Sequence, residues 1–105
     1  MVQGVMQTFR RRLSPEQANA FANVLPICLR ALFVTDWDPR QPARPFVGRQ
    51  SLISEVKALR GEHNFSPDTA IVDVARALRK QVDSEALDRV LTELPPGSIE
   101  FWAVD

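Results

Sequence analysis

The sequence predicts an all-α fold of two imperfect helical repeats, and three observations carry that reading. Val2, Val5, Met6, Phe9 and Leu13 fall at the i, i+3, i+4, i+7, i+11 spacing of one helical stripe. The stripe returns 69 residues later, without a gap, as Ile71, Val74, Ala75, Leu78 and Val82. At the same offset Ala18, Phe21, Ala22, Leu25 and Pro26 match Leu87, Val90, Leu91, Leu94 and Pro95. Finally, no segment shows the strict apolar–polar alternation of a half-buried strand. One domain over residues 1–105 follows, with repeat one at 1–34, an ordered loop at 35–49 and repeat two at 50–105.

A first helix is expected from near the N-terminus to about Arg12. Ser14-Pro15-Glu16-Gln17 starts the second: the serine accepts the Gln17 amide, Pro15 suits the first helical position, and Gln17 closes a capping box. That helix runs to Leu25, where Pro26 stops it or opens another. Ile27 to Val34 is dense in apolar residues and predicts a short, largely buried helix holding Cys28, Leu29, Leu32 and Phe33. Residues 35–49 carry Pro39, Pro42 and Pro45, which exclude a regular helix. Their Trp37, Phe46 and Val47 are too apolar for a free linker, so the loop should pack along the helices. A further helix spans Ser51 to Arg60, with Leu52, Ile53, Val56 and Leu59 on one face and Gly61 as its left-handed stop. Ser66-Pro67-Asp68-Thr69 begins the next, which runs to about Gln81. Asp83 caps a last long helix to Leu94. Pro95-Pro96-Gly97 breaks the chain, and Ile99, Phe101 and Trp102 should fold back onto the core.

The segment Ser51–Arg60 has no partner in repeat one, because its counterpart would precede Met1. Repeat one is therefore expected to lack an opening helix and to leave Val2, Val5, Met6 and Phe9 partly uncovered. Each such side chain gains about 1.5–3 kcal/mol on burial, so a partner, a second copy of the chain or a local rearrangement should cover that face.

Composition narrows the class. The 105 residues are 45 % hydrophobic and 25 % charged, ordinary for a globular chain able to form a core without a structural metal. One cysteine forms no internal disulfide, which points to a reducing, cytoplasmic setting. The basic cluster at Arg10, Arg11 and Arg12 follows rather than precedes apolar positions, so the N-terminus is not a signal peptide. No run approaches the ~20 apolar residues of a membrane span. Net charge is zero, yet residues 1–49 carry +4 and residues 50–105 carry −4, an asymmetry able to steer a partner.

Leu25-Pro26-Ile27-Cys28-Leu29-Arg30-Ala31-Leu32-Phe33 followed by Trp37-Asp38-Pro39 resembles the hallmark stretch of a bacterial family, domain of unknown function 2267. Ser51 to Leu59 and Leu94-Pro95 with Glu100-Phe101-Trp102 resemble its later motifs, and the similarity spans nearly the whole chain. The resemblance implies a repeated all-helical unit and no particular activity. Relatives usually carry the opening helix that repeat one lacks, and a glycine where this chain has Asp36.

Candidate chemistry is sparse. Asp36 and Asp38 flank Trp37, but a hard cation needs six to eight oxygens, and a structural turn explains the cluster better. Cys28 and His63 are 35 residues apart, with the thiol expected inside an apolar helix and inert. One cysteine and one histidine make no zinc site. The expectation is a non-enzymatic interaction module, with no cofactor and no metal, that uses Trp37, Arg40, Arg44 and Phe46 of the loop. The alternative is a nucleic-acid or anion binder using Arg10, Arg11, Arg12 and Arg49 with the loop arginines. The neutral overall balance argues against nucleic acid.

Overall fold

A computed structural model describes residues 2–59 and 69–104, with only the backbone of Leu59. The described residues form seven helices and no strand: α1 (Val2–Arg10), α2 (Pro15–Ala22), α3 (Ile27–Val34), α4 (Arg49–Leu59), α5 (Ala70–Gln81), α6 (Ser84–Thr92) and α7 (Ser98–Phe101). The radius of gyration is 12.6 Å, close to the ~13 Å of a folded chain of this length.

Helix α1 is the centre of the molecule and packs against α3, α4 and α5. Its stripe Val5, Met6 and Phe9 is fully buried, with Val2 partly so. This corrects the expectation of an uncovered face. Two elements distant in sequence, α3 and α4, close over α1, and periodicity within α1 could not show which elements those would be. The last four carbonyls of α1 all find donors. Gln7 O accepts from Arg11 N at 3.1 Å, Phe9 O from Arg12 N at 2.9 Å and Arg10 O from Leu13 N at 3.0 Å. Thr8 O accepts from the Arg12 guanidinium at 3.0 Å.

Ser14 caps α2 as the sequence predicts: its Oγ accepts Gln17 N at 3.2 Å and its own N–H donates to Gln17 Oε1 at 2.9 Å. The regular helix ends at Ala22 rather than Leu25. Val24 N and Leu25 N tighten onto Phe21 O and Ala22 O, the i→i+3 pattern of a closing helical turn before a proline. Arg30 then reaches back to Ala22 O and Leu25 O, both at 3.1 Å.

Helix α3 departs from its expected burial. Phe33 alone is fully buried, Ile27 is 79 % exposed, and Cys28 is exposed. Dense apolar composition without a helical period says nothing about how many sides are covered, and α3 presents only one side to α1.

Helix α4 buries Leu52, Ile53 and Val56 and packs on both α1 and α5. Gly4 permits the approach, since a β-carbon there would lie 3.2 Å from Val56 O. The start signal Ser66-Pro67-Asp68, the Gly61 stop and His63 lie outside the described residues. Helix α5 buries Ile71, Val74, Ala75 and Leu78, and α6 buries Leu87 and Leu91 beneath its Asp83 cap, which accepts Glu85 N at 3.0 Å. The short α7 follows Gly97, whose φ of 103° is open to glycine at little cost. It buries Phe101 and Trp102 but leaves Ile99 51 % exposed, against the expectation that Ile99 folds inward.

The core is aromatic. Phe9 meets Phe21 at 4.8 Å between ring centroids, Phe101 at 5.0 Å and Trp102 at 5.3 Å, and Phe33 meets Phe21 at 5.1 Å. The offset of 69 extends to polar contacts. Arg10 donates to Phe33 O at 2.8 Å, and Arg79 donates to Trp102 O at 2.9 Å. Each pair stands at the same offset from the other.

Candidate cleft between α1 and the loop

The chain leaves α3 through a sharp turn. Asp36 adopts φ 57°, the left-handed conformation that asparagine and aspartate tolerate better than other residues with a β-carbon. Asp36 thus makes this left-handed turn without a glycine. Trp37 N donates to Val34 O at 3.2 Å and Gln41 N to Asp38 O at 3.2 Å. Asp38 accepts from Arg40 N and Arg40 Nε, both at 3.0 Å. These bonds hold the Asp38 carboxyl below the usual carboxylate range. The loop is then pinned to the end of α1 by Arg44 N, which donates to Arg11 O at 2.8 Å.

Pinning creates a cleft of about 330 Å³, with Arg10, Arg11 and Leu13 on one wall and Trp37, Asp38, Pro42, Arg44 and Pro45 among the loop residues on the other. The sequence-predicted residues Trp37 and Arg44 thus meet Arg11, from the other predicted cluster, around one opening. Phe46 does not line it. That ring is an anchor, 6.0 Å from Phe9 and 6.3 Å from Phe101, with its side against Gly97. Arg40 is outside the cleft lining, 90 % exposed and paired with Asp38.

The anion-binding set is split by the fold. Arg10 is 8 % exposed, and its NH1 donates to Phe33 O at 2.8 Å and Thr35 O at 2.7 Å. Burial, then the charge of Arg11, lowers its pKa, while Asp36 partly offsets them; it stays charged. Arg12 is 3 % exposed and holds Glu55 through two bonds of 2.5 and 2.9 Å. Burial pushes the Glu55 carboxyl up, but the bonds from Arg12 and the charges of Arg12, Arg11 and Arg44 outweigh it, and the group sits below its ordinary value. Arg10 and Arg12 are therefore internal clamps, a correction to their reading as an exposed anion surface. Arg49 donates to Glu100 O at 2.8 Å and lies 6.0 Å from the centre of the Phe101 ring. Arg11, 30 % exposed, shares Glu55 at 3.5 Å. Arg44 makes no side-chain hydrogen bond among the described residues and remains open to the cleft.

Sequence reasoning missed Glu55, which gathers the arginines at the back of this region. Its signal was the pair Gly4 and Thr8, small residues one turn apart where another helix comes close, with Arg12 one turn on to meet its carboxylate. The thiol of Cys28 is on the exposed side of α3, not in the apolar interior expected for it. Among the described residues, no group of three or more His, Cys, Asp and Glu is placed to hold a metal, and no helix is long and apolar enough to cross a membrane.

A family model described as "Uncharacterized conserved protein (DUF2267)" matches residues 1–101. The chain belongs to the DUF2267 family. No curated protein matches it. This DUF2267 chain thus joins an all-helical fold to a family whose description names no reaction, and the cleft is the place where its sequence and geometry converge.

Proposed function

We propose that this DUF2267 protein is a non-enzymatic, cytoplasmic interaction module that takes an acidic segment of a partner protein into the cleft between α1 and the loop. One observation carries the reading: the Arg44 N to Arg11 O bond fixes the loop so that Trp37, Arg11 and Arg44 face one opening. An indole and proline faces offer apolar contact, and guanidinium groups pair with carboxylates in a directed way. The one carboxylate in the lining, Asp38, is held by Arg40, and the lining contains no thiol or imidazole to act as a nucleophile or base.

Nucleic acid fits this surface less well. Phosphate binding needs several exposed cations, whereas Arg10 and Arg12 are spent inside the fold.

The test compares tagged wild type with Trp37→Ala and Arg44→Ala in extracts of the host, washed at low and high salt. A stoichiometric protein held by wild type at both washes and lost from both variants supports the module. Nucleic acid released steeply by salt, or a protein retained equally by the variants, rejects it.

A further inference from the structure

The charges around the cleft between α1 and the loop do not cancel, and the remainder specifies a ligand. Each acid near the opening already has a cation. Asp38 is held by Arg40, and Glu55 gives both oxygens to Arg12 at 2.5 and 2.9 Å. Arg10, whose NH1 is taken by Phe33 O and Thr35 O, has the charge of Asp36 nearby. Of the charged residues that line the cleft, Arg11 and Arg44 are left over. Arg11 stands 3.5 Å from Glu55, but Arg12 already matches that carboxylate. Arg44 is exposed. The surplus is therefore two positive charges.

The two surplus side chains start from one place. The Arg44 N to Arg11 O bond of 2.8 Å sets their backbones side by side. Both charges act on Glu55, so they converge on one region rather than line an extended track. Two separate carboxylates brought that close would repel each other. A phosphoryl group instead places a charge of about −1.5 to −2 on one centre with three acceptor oxygens, and guanidinium forks match such oxygens in pairs. We propose, resting on the reading of the cleft as the seat of an acidic partner segment, that its anionic ligand is a phosphorylated serine or threonine of that segment, held between Arg11 and Arg44 with the adjoining residue against Trp37. Arg40 contributes without touching the ligand: by holding Asp38 it keeps the one carboxylate of the lining from repelling the phosphoryl group.

The probe is a peptide mixture with phosphoserine fixed at the centre and degenerate positions on either side. It is captured on the immobilised full chain beside the same mixtures with glutamate and with serine at the centre. Capture of phosphoserine should exceed that of glutamate about tenfold or more, the factor of one added charge-assisted bond, and serine should not be retained. Arg44→Ala should remove the preference for phosphoserine. That variant keeps the loop in place, because Arg44 holds it through the main-chain N–H. Arg11→Ala should act alike, and Arg89→Ala, exposed on α6, should change nothing. Lowering the pH from about 7.5 to about 5 crosses the second phosphate ionisation near 6; phosphoserine should lose its advantage, while glutamate stays largely ionised. Equal capture of phosphoserine and glutamate overturns the phosphoryl assignment and leaves the acidic-segment reading standing, whereas capture of neither overturns both. Inorganic phosphate that displaces the phosphoserine mixture at the concentration of the peptides themselves would give the site to a free phosphate or small phosphomonoester, and would overturn its assignment to a protein segment.

Discussion

Replacing Arg10 by methionine keeps an unbranched buried stem but removes the cation that donates to Phe33 O and Thr35 O. Each charge-assisted bond contributes about 1.5–3 kcal/mol. The two carbonyls do not suffer equally. Thr35 is half-buried and keeps Gln7 Nε2 at 3.4 Å, so water and the amide recover part of its loss. Phe33 belongs to the fully buried core, and an orphaned carbonyl there costs about 1–3 kcal/mol. The expected net destabilisation is about 2–4 kcal/mol, a large share of the ~5–15 kcal/mol that a domain of this size holds. Arg79→Met is the internal comparison. It loses one bond to Trp102 O and one to Asp88, a carboxylate 63 % exposed. The exposed pair adds only ~0–1 kcal/mol, so Arg79→Met, which loses one carbonyl bond where Arg10→Met loses two, should cost about 1.5–3 kcal/mol. Urea unfolding reads both as midpoint shifts at unchanged slope, with Arg10→Met the larger. An Arg10→Met protein within about 0.5 kcal/mol of wild type, the range of an ordinary surface change, would refute the clamp and return Arg10 to the pool of available cations.

Glu55 makes stability depend on acid. Its carboxyl sits below the ordinary 4.5 in the fold, so the stabilisation is complete above that value and is lost as pH falls through the lower folded value. The deficit of Glu55→Gln against wild type, measured by urea unfolding, should be full at neutral pH and shrink below about pH 4.5; a gap that stays constant into acid would contradict the pairing. Asp36→Val places a β-branched residue at φ 57° and should cost about 1–2 kcal/mol, whereas Asp36→Gly should be tolerated; equal thermal stability of the two would show that the turn is not left-handed. Cys28, exposed on α3, should react with a thiol-specific chromogenic reagent in the native protein at a rate comparable to the denatured chain, and strong protection would restore the buried helix.

Which features were legible in the sequence follows from how local their causes are. The starts of α2 and α6 are written in Ser14 and Asp83 because a cap acts over three residues. The stripes of α1 and α5 were legible because burial follows a helical period. The exposure of Ile27 and Cys28 was not, since a segment of eight residues with seven apolar ones reads the same whether one or all sides are covered. Nor was the burial of Arg10 and Arg12. An arginine becomes a clamp only when a carbonyl or carboxylate more than 20 residues away is delivered to it, and no pattern within α1 announces that. The cleft was half legible. Trp37 and Arg44 stood out as apolar and basic residues in a proline-rich loop, but their meeting with Arg11 depends on one main-chain bond from Arg44. Phe46 packs against Phe9 and Phe101, as an aromatic too costly to leave wet should, and so stands outside the cleft lining.

The most direct test of the cleft is selection of peptides from a random display library on the intact protein, followed by affinity measurement of the enriched sequences. The account predicts sequences that share acidic residues beside an apolar side chain, with binding lost in Trp37→Ala and Arg44→Ala. Enriched peptides without acids, or binding indifferent to Trp37 and Arg44, would contradict it.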